Sequence, residues 1–154
     1  MKKTFIIVLL SLFLTCTFCL SANAYSISAQ VVSVDYLANG DYIETVIEDS
    51  PAPSITKGTI TKTKTRYYKN SSGVVLWSVS IHATFTYNGV SSTCTSCSHS
   101  TTSPGVYWSI KSASSSRSGN SATAYATATY QTSTISYDYD MSVTIYCSPY
   151  GIIS

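Results

Sequence analysis

Strict alternation of apolar and polar residues is the clearest pattern in the chain. Between Val75 and Tyr87 every odd position is apolar, and from Ser78 onward every even position is polar. A period of two places all apolar side chains on one face of a β-strand, whereas a helix would scatter them around its circumference. The pattern therefore predicts an amphipathic strand that fixes the inward direction for its neighbours.

Further strands are indicated on both sides of this strand. Residues 59–69 alternate Thr with basic residues, residues 122–128 carry Ala at every second position, and residues 135–147 alternate again. No stretch after the first 24 residues has a helical period. Six to eight strands at hairpin spacing predict an all-β fold, namely an antiparallel β-sandwich of immunoglobulin-like architecture with essentially no helix.

The amino terminus has the parts of an export signal. Lys2 and Lys3 precede an apolar run over residues 5–14, and the small-x-small sequence Ala22-Asn23-Ala24 follows. We expect residues 1–24 to be a signal peptide and the mature chain to be secreted, either free or loosely associated with the cell surface. The lysines, the short apolar core and the cleavage site resemble a Gram-positive secretory signal.

The mature chain is long enough for one domain. The sequence Ser-Pro-Ala-Pro over residues 50–53 indicates a linker. Residues 25–53 are expected to form a strand or hairpin, or a loosely attached arm, plus this linker. The β-sandwich domain is expected over residues 54–154, and no second apolar stretch is long enough to span a membrane.

The turn before the reference strand predicts its register against the preceding strand. A three-residue loop over residues 71–73 places Thr65 beside Val79 and Tyr67 beside Trp77, with Gly73 in the left-handed conformation. This register avoids burying charge. The opposite, outward face then carries a basic row of Lys62, Lys64 and Arg66.

The turn after the reference strand contains the dipeptide Asn88-Gly89, which favours a two-residue hairpin. This hairpin pairs Tyr87 with Val90 and Ala83 with Cys94, so Cys94 is expected to face inward. Residues 95–105 are predicted to be a polar loop.

A three-residue loop at Ser118 pairs Trp108 with Tyr130 and Ile110 with Ala128, which aligns two further apolar faces. Val106 is expected to begin the same inward face. The alanines of residues 122–128 are expected to let this sheet approach Trp77 and Phe85 closely.

The net charge of the mature chain is close to zero. The full chain has nine basic and seven acidic residues, and removing Lys2 and Lys3 leaves seven of each. A neutral mature chain argues against a nucleic-acid partner and against an electrostatic membrane patch. About a third of the mature chain is Ser or Thr, which suits strands with hydroxyl-lined outer faces.

Three sequence blocks carry a resemblance to a known family. They are W-S-V-S-I-H-A-T-F-T-Y-N-G-V-S-S-T-C at 77–94, S-G-N-S-A-T-A-Y-A-T-A-T at 118–129 and V-T-I-Y-C at 143–147. Over residues 57–147 the chain resembles a family of small secreted β-rich proteins from Firmicutes. The resemblance implies export and a compact β domain, and it lends no catalytic residue because the family has no assigned activity.

The cysteines predict a disulfide bond. Cys94, Cys97 and Cys147 remain after signal cleavage, and oxidising surroundings favour a bridge. Cys94 and Cys147 both fall on inward faces, so a Cys94–Cys147 bridge is expected, with Cys97 free or linking two molecules. A Cys94–Cys97 redox pair is the alternative, and a zinc site of Cys94, Cys97 and His99 is a further one.

Candidate catalytic groups are few. His82 lies on the polar face of the reference strand, and His99 is predicted in a loop. Asp138 and Asp140 share an outward face, which is how solvated acids recur on any strand. No Ser lies in a G-x-S-x-G elbow. We therefore expect no enzyme, no cofactor and no metal.

Two features suggest binding. The basic row could hold an anionic wall polymer such as teichoic acid, although lysines also protect an edge strand against association. Four tyrosines are predicted to face outward and could contact sugars or proteins: Tyr68, Tyr107, Tyr125 and Tyr146. The function predicted is a secreted, non-catalytic binding or structural module at the bacterial cell surface. Its partner is a wall polymer, a glycan or another protein, and the alternatives are a secreted effector or an unrecognised hydrolase.

Overall fold

A computed structural model describes residues 29–48 and 57–154. The predicted signal peptide and linker lie outside these residues. Eight strands are present in the described part: β1 (Ala29–Tyr36), β2 (Tyr42–Glu48), β3 (Gly58–Lys69), β4 (Val75–Tyr87), β5 (Ser92–Thr102), β6 (Trp108–Ser118), β7 (Ser121–Gln131) and β8 (Ser136–Tyr146).

The strands form two antiparallel sheets that pack against each other. One sheet has the order β1-β2-β3-β4-β5 and the other the order β6-β7-β8. The all-β prediction is confirmed, and the described residues contain no helix. Immunoglobulin-like architecture is not confirmed, because each sheet is a simple meander, whereas that architecture needs Greek-key connections between sheets.

The core lies between the sheets, and β4 supplies its centre. Trp77, Val79, Ile81 and Phe85 are fully buried, as the alternation predicts. The second sheet contributes a buried alanine row of Ala122, Ala124, Ala126 and Ala128. Because these side chains are small, the backbone of β7 comes close to the bulky side chains of β4.

Aromatic side chains fill one end of the core. The ring of Tyr68 lies 6.4 Å from Trp77, 5.2 Å from Trp108 and 5.0 Å from Tyr139 between centroids. Stacked, tilted and edge contacts of this kind contribute about 1 kcal/mol per pair beyond the area they bury. This cluster ties β3 and β4 of the first sheet to β6 and β8 of the second.

The turn between β3 and β4 has the predicted glycine conformation. Gly73 has a φ of 82°, and Lys69 pairs with Val75, as a three-residue loop requires. Leu76 is then an extra residue without a partner in β3. This β-bulge shifts all the pairing beyond it by one residue.

Because of the bulge, the predicted register of β3 is wrong. Tyr68 lies opposite Trp77, and Arg66 lies opposite Val79. The predicted pairs Thr65–Val79 and Tyr67–Trp77 do not form. The even-numbered residues of β3, including the basic row, therefore face the same side as the core residues of β4.

The predicted two-residue hairpin at Asn88-Gly89 is also wrong. The loop has four residues, because Ser92 pairs with Tyr87 and the Asn88 side chain accepts hydrogen bonds from the backbone N–H groups of residues 90 and 91. Cys94 lies opposite Phe85 instead of Ala83, although it is buried as predicted. The predicted polar loop over residues 95–105 is largely strand, since β5 runs to Thr102.

Between β6 and β7 the predicted pairs are confirmed. Trp108 lies opposite Tyr130, and Ile110 lies opposite Ala128. The connection is shorter than predicted, because Ser118 pairs with Ser121, and a bulge at Lys111 compensates for the difference. Val106 was expected to face inward, but it is exposed in the loop before β6.

The alanine row gives a test of the packing. Ala124 is fully buried, so Ala124→Leu should overpack the contact between the sheets and cost about 1–3 kcal/mol in the free energy of unfolding. Ala113 on β6 is only half-buried, and Ala113→Leu is the matched control. Chemical denaturation measures both, and equal losses would show that β7 does not approach β4 this closely.

Candidate functional site

A cleft of about 1000 Å³ opens beside the core because the two sheets differ in width. The backbones of β1 and β2 do not come close to any strand of the second sheet, so the two sheets diverge here, although Ile43 and Thr45 on the inward face of β2 are buried. One wall of the cleft consists of β1, β2 and β3. The other consists of residues 142–144 of β8 and residues 151–154.

The basic row lines this cleft. Lys62, Lys64 and Arg66 lie on the inward face of β3, opposite Ala83, Ile81 and Val79. The expectation that the row faces outward is therefore wrong. The interpretation as edge protection is wrong as well, because β3 is the middle strand of five and its edges are both paired.

Arg66 connects the two walls of the cleft. Its guanidinium donates to Asp35 Oδ2 of β1 at 3.1 Å and to the backbone oxygen of Ser142 of β8 at 3.1 Å. Its Nε is buried and has no hydrogen-bond partner within the described ranges. Arg66 therefore fixes one end of the cleft.

Lys62 lies at the other end of the row and is mostly buried. Its ammonium donates to the backbone oxygen of Glu48 at 3.2 Å. Lys62 thus joins β3 to the end of β2 and presents its charge to the cleft.

Lys64 is the uncompensated charge of the row. Its cross-strand neighbours are Ile47 and Ile81, and no described residue offers it a hydrogen bond or an ion pair. Burial lowers the pKa of Lys64, and the positive charge of Arg66 lowers it further. An anion in the cleft would supply the missing partner, so the site is suited to an acidic ligand.

The predicted tyrosine contacts separate into two groups. Tyr68 was expected to face outward but is buried, and its hydroxyl donates to Asp41 Oδ2 at 2.9 Å. Burial raises the pKa of Tyr68 to about 12. Tyr107, Tyr125 and Tyr146 are about half exposed, as predicted.

The exposed tyrosines do not form one binding surface. Tyr125 and Tyr146 lie on the outer face of the second sheet, where Tyr146 pairs with Ser121. Four residues along a strand span about 13 Å, which is too far for two rings to stack on one sugar. Tyr107 packs edge-on against Tyr130 at 5.9 Å.

Two predicted disulfide partners approach the same turn. The backbone N–H of Cys94 donates to Gly119 O at 2.8 Å, and that of Cys147 donates to Asn120 O at 3.0 Å. Both side chains are buried thiols, and burial raises the pKa of each. Cys97 also packs against the core, opposite Ala83, because β5 has a bulge at residue 95. The Cys94–Cys147 bridge stays a prediction.

The histidines are engaged in hydrogen bonds with hydroxyl groups. His82 on the outer face of β4 bonds Thr63 and Ser100, each at 2.9 Å. His99, which lies on β5 and not in the predicted loop, bonds Ser115 at 3.1 Å. Across residues 29–48 and 57–154, no group of three or more His, Cys, Asp and Glu side chains is arranged to hold a metal ion.

The aspartates of β8 are paired on the outer surface of the second sheet. Asp138 accepts from Lys111 and Thr129, and the ammonium of Lys111 lowers the pKa of Asp138. Asp140 accepts from Thr127 at 2.6 Å. These contacts support the interpretation of Asp138 and Asp140 as solvated acids on the protein surface.

Sequence reasoning missed the polar partners that complete the cleft. Asp35 and Ser142 reach Arg66 from strands that are distant in the chain. One signal was present, since Ile60 and Tyr68 are apolar at even positions of β3 and enclose the basic row on the same face. That signal favours an inward face with charges in its middle.

Comparison of the chain with protein-family models, with curated proteins and with solved structures finds no match. In the part of the chain that the structure describes, no helix has the length and apolarity that a membrane span needs.

Lys64 gives a test that separates function from stability. Because Lys64 is half-buried without an acidic partner, Lys64→Met should stabilise the protein by about 1 kcal/mol. Lys111 is exposed and paired with Asp138, so Lys111→Met serves as a control that should bring no gain. Thermal denaturation at neutral pH measures both, and a loss of stability in Lys64→Met would contradict this account of the site.

The difference in stability between Lys64→Met and the wild type should depend on pH in one direction. The pKa of Lys64 is lower in the folded protein than its ordinary 10.5, so the unfolded chain binds that proton more tightly. The charged Lys64 therefore lowers the free energy of unfolding at neutral pH. This loss disappears as the pH rises through the folded-state pKa toward 10.5. The gain in stability of Lys64→Met over the wild type, measured by thermal denaturation, should therefore become smaller as the pH rises over this range.

The disulfide has a direct test. Mass spectrometry of the unreduced protein should give a mass lower by two hydrogen atoms, and a disulfide-linked peptide should contain Cys94 and Cys147. Cys97→Ser should keep this bridge, whereas Cys147→Ser should lose it. A bridge between Cys94 and Cys97, or three free thiols in protein recovered from oxidising medium, would contradict the prediction.

Proposed function

We propose that this chain is a secreted, non-catalytic module that binds an acidic ligand in the cleft between the two sheets. The observation that carries the proposal is Lys64, a half-buried cation that faces the cleft without an acidic partner in the described residues. A charge in this state costs stability, and it gains a compensating interaction when an anion binds.

The neighbours of Lys64 support the same ligand chemistry. Lys62 and Arg66 flank it on the same face, and Arg66 is ion-paired with Asp35 of β1. Among the described residues that line the cleft, three are basic and none is acidic. Hydroxyl groups of Ser33, Thr45 and Ser142 add neutral hydrogen-bonding groups to the walls.

Export is the second part of the proposal. The amino-terminal pattern of Lys2, Lys3, an apolar run and Ala22-Asn23-Ala24 supports cleavage before Tyr25 and placement outside the cell. Acidic wall polymers are then the ligands within reach. Mass measurement on protein from the culture medium tests this part, and a chain that retains residues 1–24 inside the cell would contradict it.

The binding part is tested with charge variants of Lys64. Titration of the purified protein with an acidic phosphate-containing polymer should show binding, and Lys64→Gln should weaken it about 10- to 100-fold, since a charge-assisted hydrogen bond contributes about 1.5–3 kcal/mol. Lys64→Glu should weaken it further.

The matched control is Lys111→Gln, which removes the same charge from the outer face of the second sheet. It should leave the affinity unchanged. Equal losses in Lys64→Gln and Lys111→Gln would indicate nonspecific attraction by net charge and would contradict a site in the cleft.

A further inference from the structure

The cleft offers one open positive charge to a ligand. Lys64 has no hydrogen-bond or ion-pair partner among the described residues. The other two cations of the row are engaged, since Lys62 donates to the backbone oxygen of Glu48 and Arg66 is ion-paired with Asp35. The charge that the cleft calls for is therefore a single acidic group placed at Lys64.

Apolar side chains line both walls around this charge. Ile47 lies beside Lys64 on the neighbouring strand β2, and Val32 of the edge strand β1 is 43% exposed. On the opposite wall Ile152 is 63% exposed and Ile153 is half-buried. An apolar group that entered between these walls would remove their surface from water, which is favourable.

The size of the cleft exceeds what a small anion can fill. A volume of about 1000 Å³ is at the upper end of the range for pockets that bind small molecules. A lone carboxylate or phosphate at Lys64 would occupy a small part of this volume and leave Ile47 and Ile152 in water. A hydrocarbon chain joined to the acidic group would cover them, while the acidic group complements the charge of Lys64.

Resting on the proposed function, we infer that the acidic ligand of the cleft is an amphiphile, with one acidic group at Lys64 and a hydrocarbon chain against Val32, Ile47 and Ile152. The acidic group accepts a charge-assisted hydrogen bond from the ammonium, and the chain displaces water from the apolar walls. An acidic wall polymer with an acyl chain at one end meets this description, and so does a free fatty acid.

Calorimetric titration with a chain-length series tests the inference. The probes are acetate, octanoate, decanoate and dodecanoate, each below the concentration at which it forms micelles. The affinity should rise about 2- to 4-fold for each added CH₂ group until the cleft is filled, since full burial of one CH₂ group corresponds to about 4-fold. Octanol has the chain without the charge and should bind about 10-fold more weakly than octanoate, because it makes no charge-assisted bond with Lys64.

Two variants separate the contribution of the charge from that of the apolar walls. Lys64→Gln should weaken the binding of octanoate about 10-fold and leave that of octanol unchanged. Ile152→Ser should reduce the gain in affinity per CH₂ group, and circular dichroism verifies that each variant is folded.

The matched controls remove the same kinds of side chain outside the cleft. Lys111→Gln removes a charge from the outer face of the second sheet, and Val106→Ser removes an exposed apolar side chain from the loop before β6. Neither control should change the affinity for octanoate or dodecanoate.

The head group distinguishes the two sources of such a ligand. Tighter binding of dodecyl phosphate than of dodecanoate would indicate the acylated end of a phosphate-containing polymer. Tighter binding of dodecanoate would indicate a fatty acid. Either result supports the inference, provided that Lys64→Gln weakens the binding.

The outcomes separate this inference from the proposed function. If acetate or inorganic phosphate binds as tightly as dodecanoate and shows the same loss in Lys64→Gln, the amphiphile inference is refuted and the acidic-ligand function stands. The same holds if the acidic phosphate-containing polymer binds and no fatty acid does. If neither binds, both are refuted. A gain with chain length that Lys64→Gln and Ile152→Ser leave unchanged would place the chain elsewhere and overturn the inference.

Discussion

The β-bulge at Leu76 decides which side of β3 faces the interior. With the bulge, Tyr68 reaches Trp77, Trp108 and Tyr139 and closes one end of the core. Without it, Tyr67 would take that place and the basic row would face solvent. The aromatic contacts of Tyr68 and the burial of Ile60 at the other end of β3 both favour the bulged register.

The bulged register places three cations on an inward face. The unequal width of the sheets lowers the energetic cost of this arrangement. Long basic side chains can bury their alkyl stems and still extend their charges to an open region. Lys62 and Arg66 reach backbone oxygens of Glu48 and Ser142 in this way. If the second sheet also covered β2, the charges of Lys64 and Arg66 would lose their access to water, and the cost of burying them would rise.

The sequence predicted strands and their inward faces well where one continuous alternation extends through an element. β4, β7 and β8 are such cases, and the pairs Trp108–Tyr130 and Ile110–Ala128 are correct. Registers failed at Leu76, where a bulge adds one residue to β4, and at Asn88, where the loop has four residues instead of two. A bulge depends on contacts between distant strands, so alternation within one strand does not reveal it.

For the candidate site too, the sequence predicted some features and could not predict others. The residue types of the basic row and their suitability for an anion could be predicted from the sequence, but their direction could not, because it depends on Leu76. Ile60 and Tyr68 at the ends of the row carried the missing information, since an apolar residue at each end of a face favours burial of that face. The rule that charges avoid inward faces outweighed this signal. It holds for closed cores, and it does not hold for β3 because Lys64 and Arg66 line a cleft between the sheets and not a closed core.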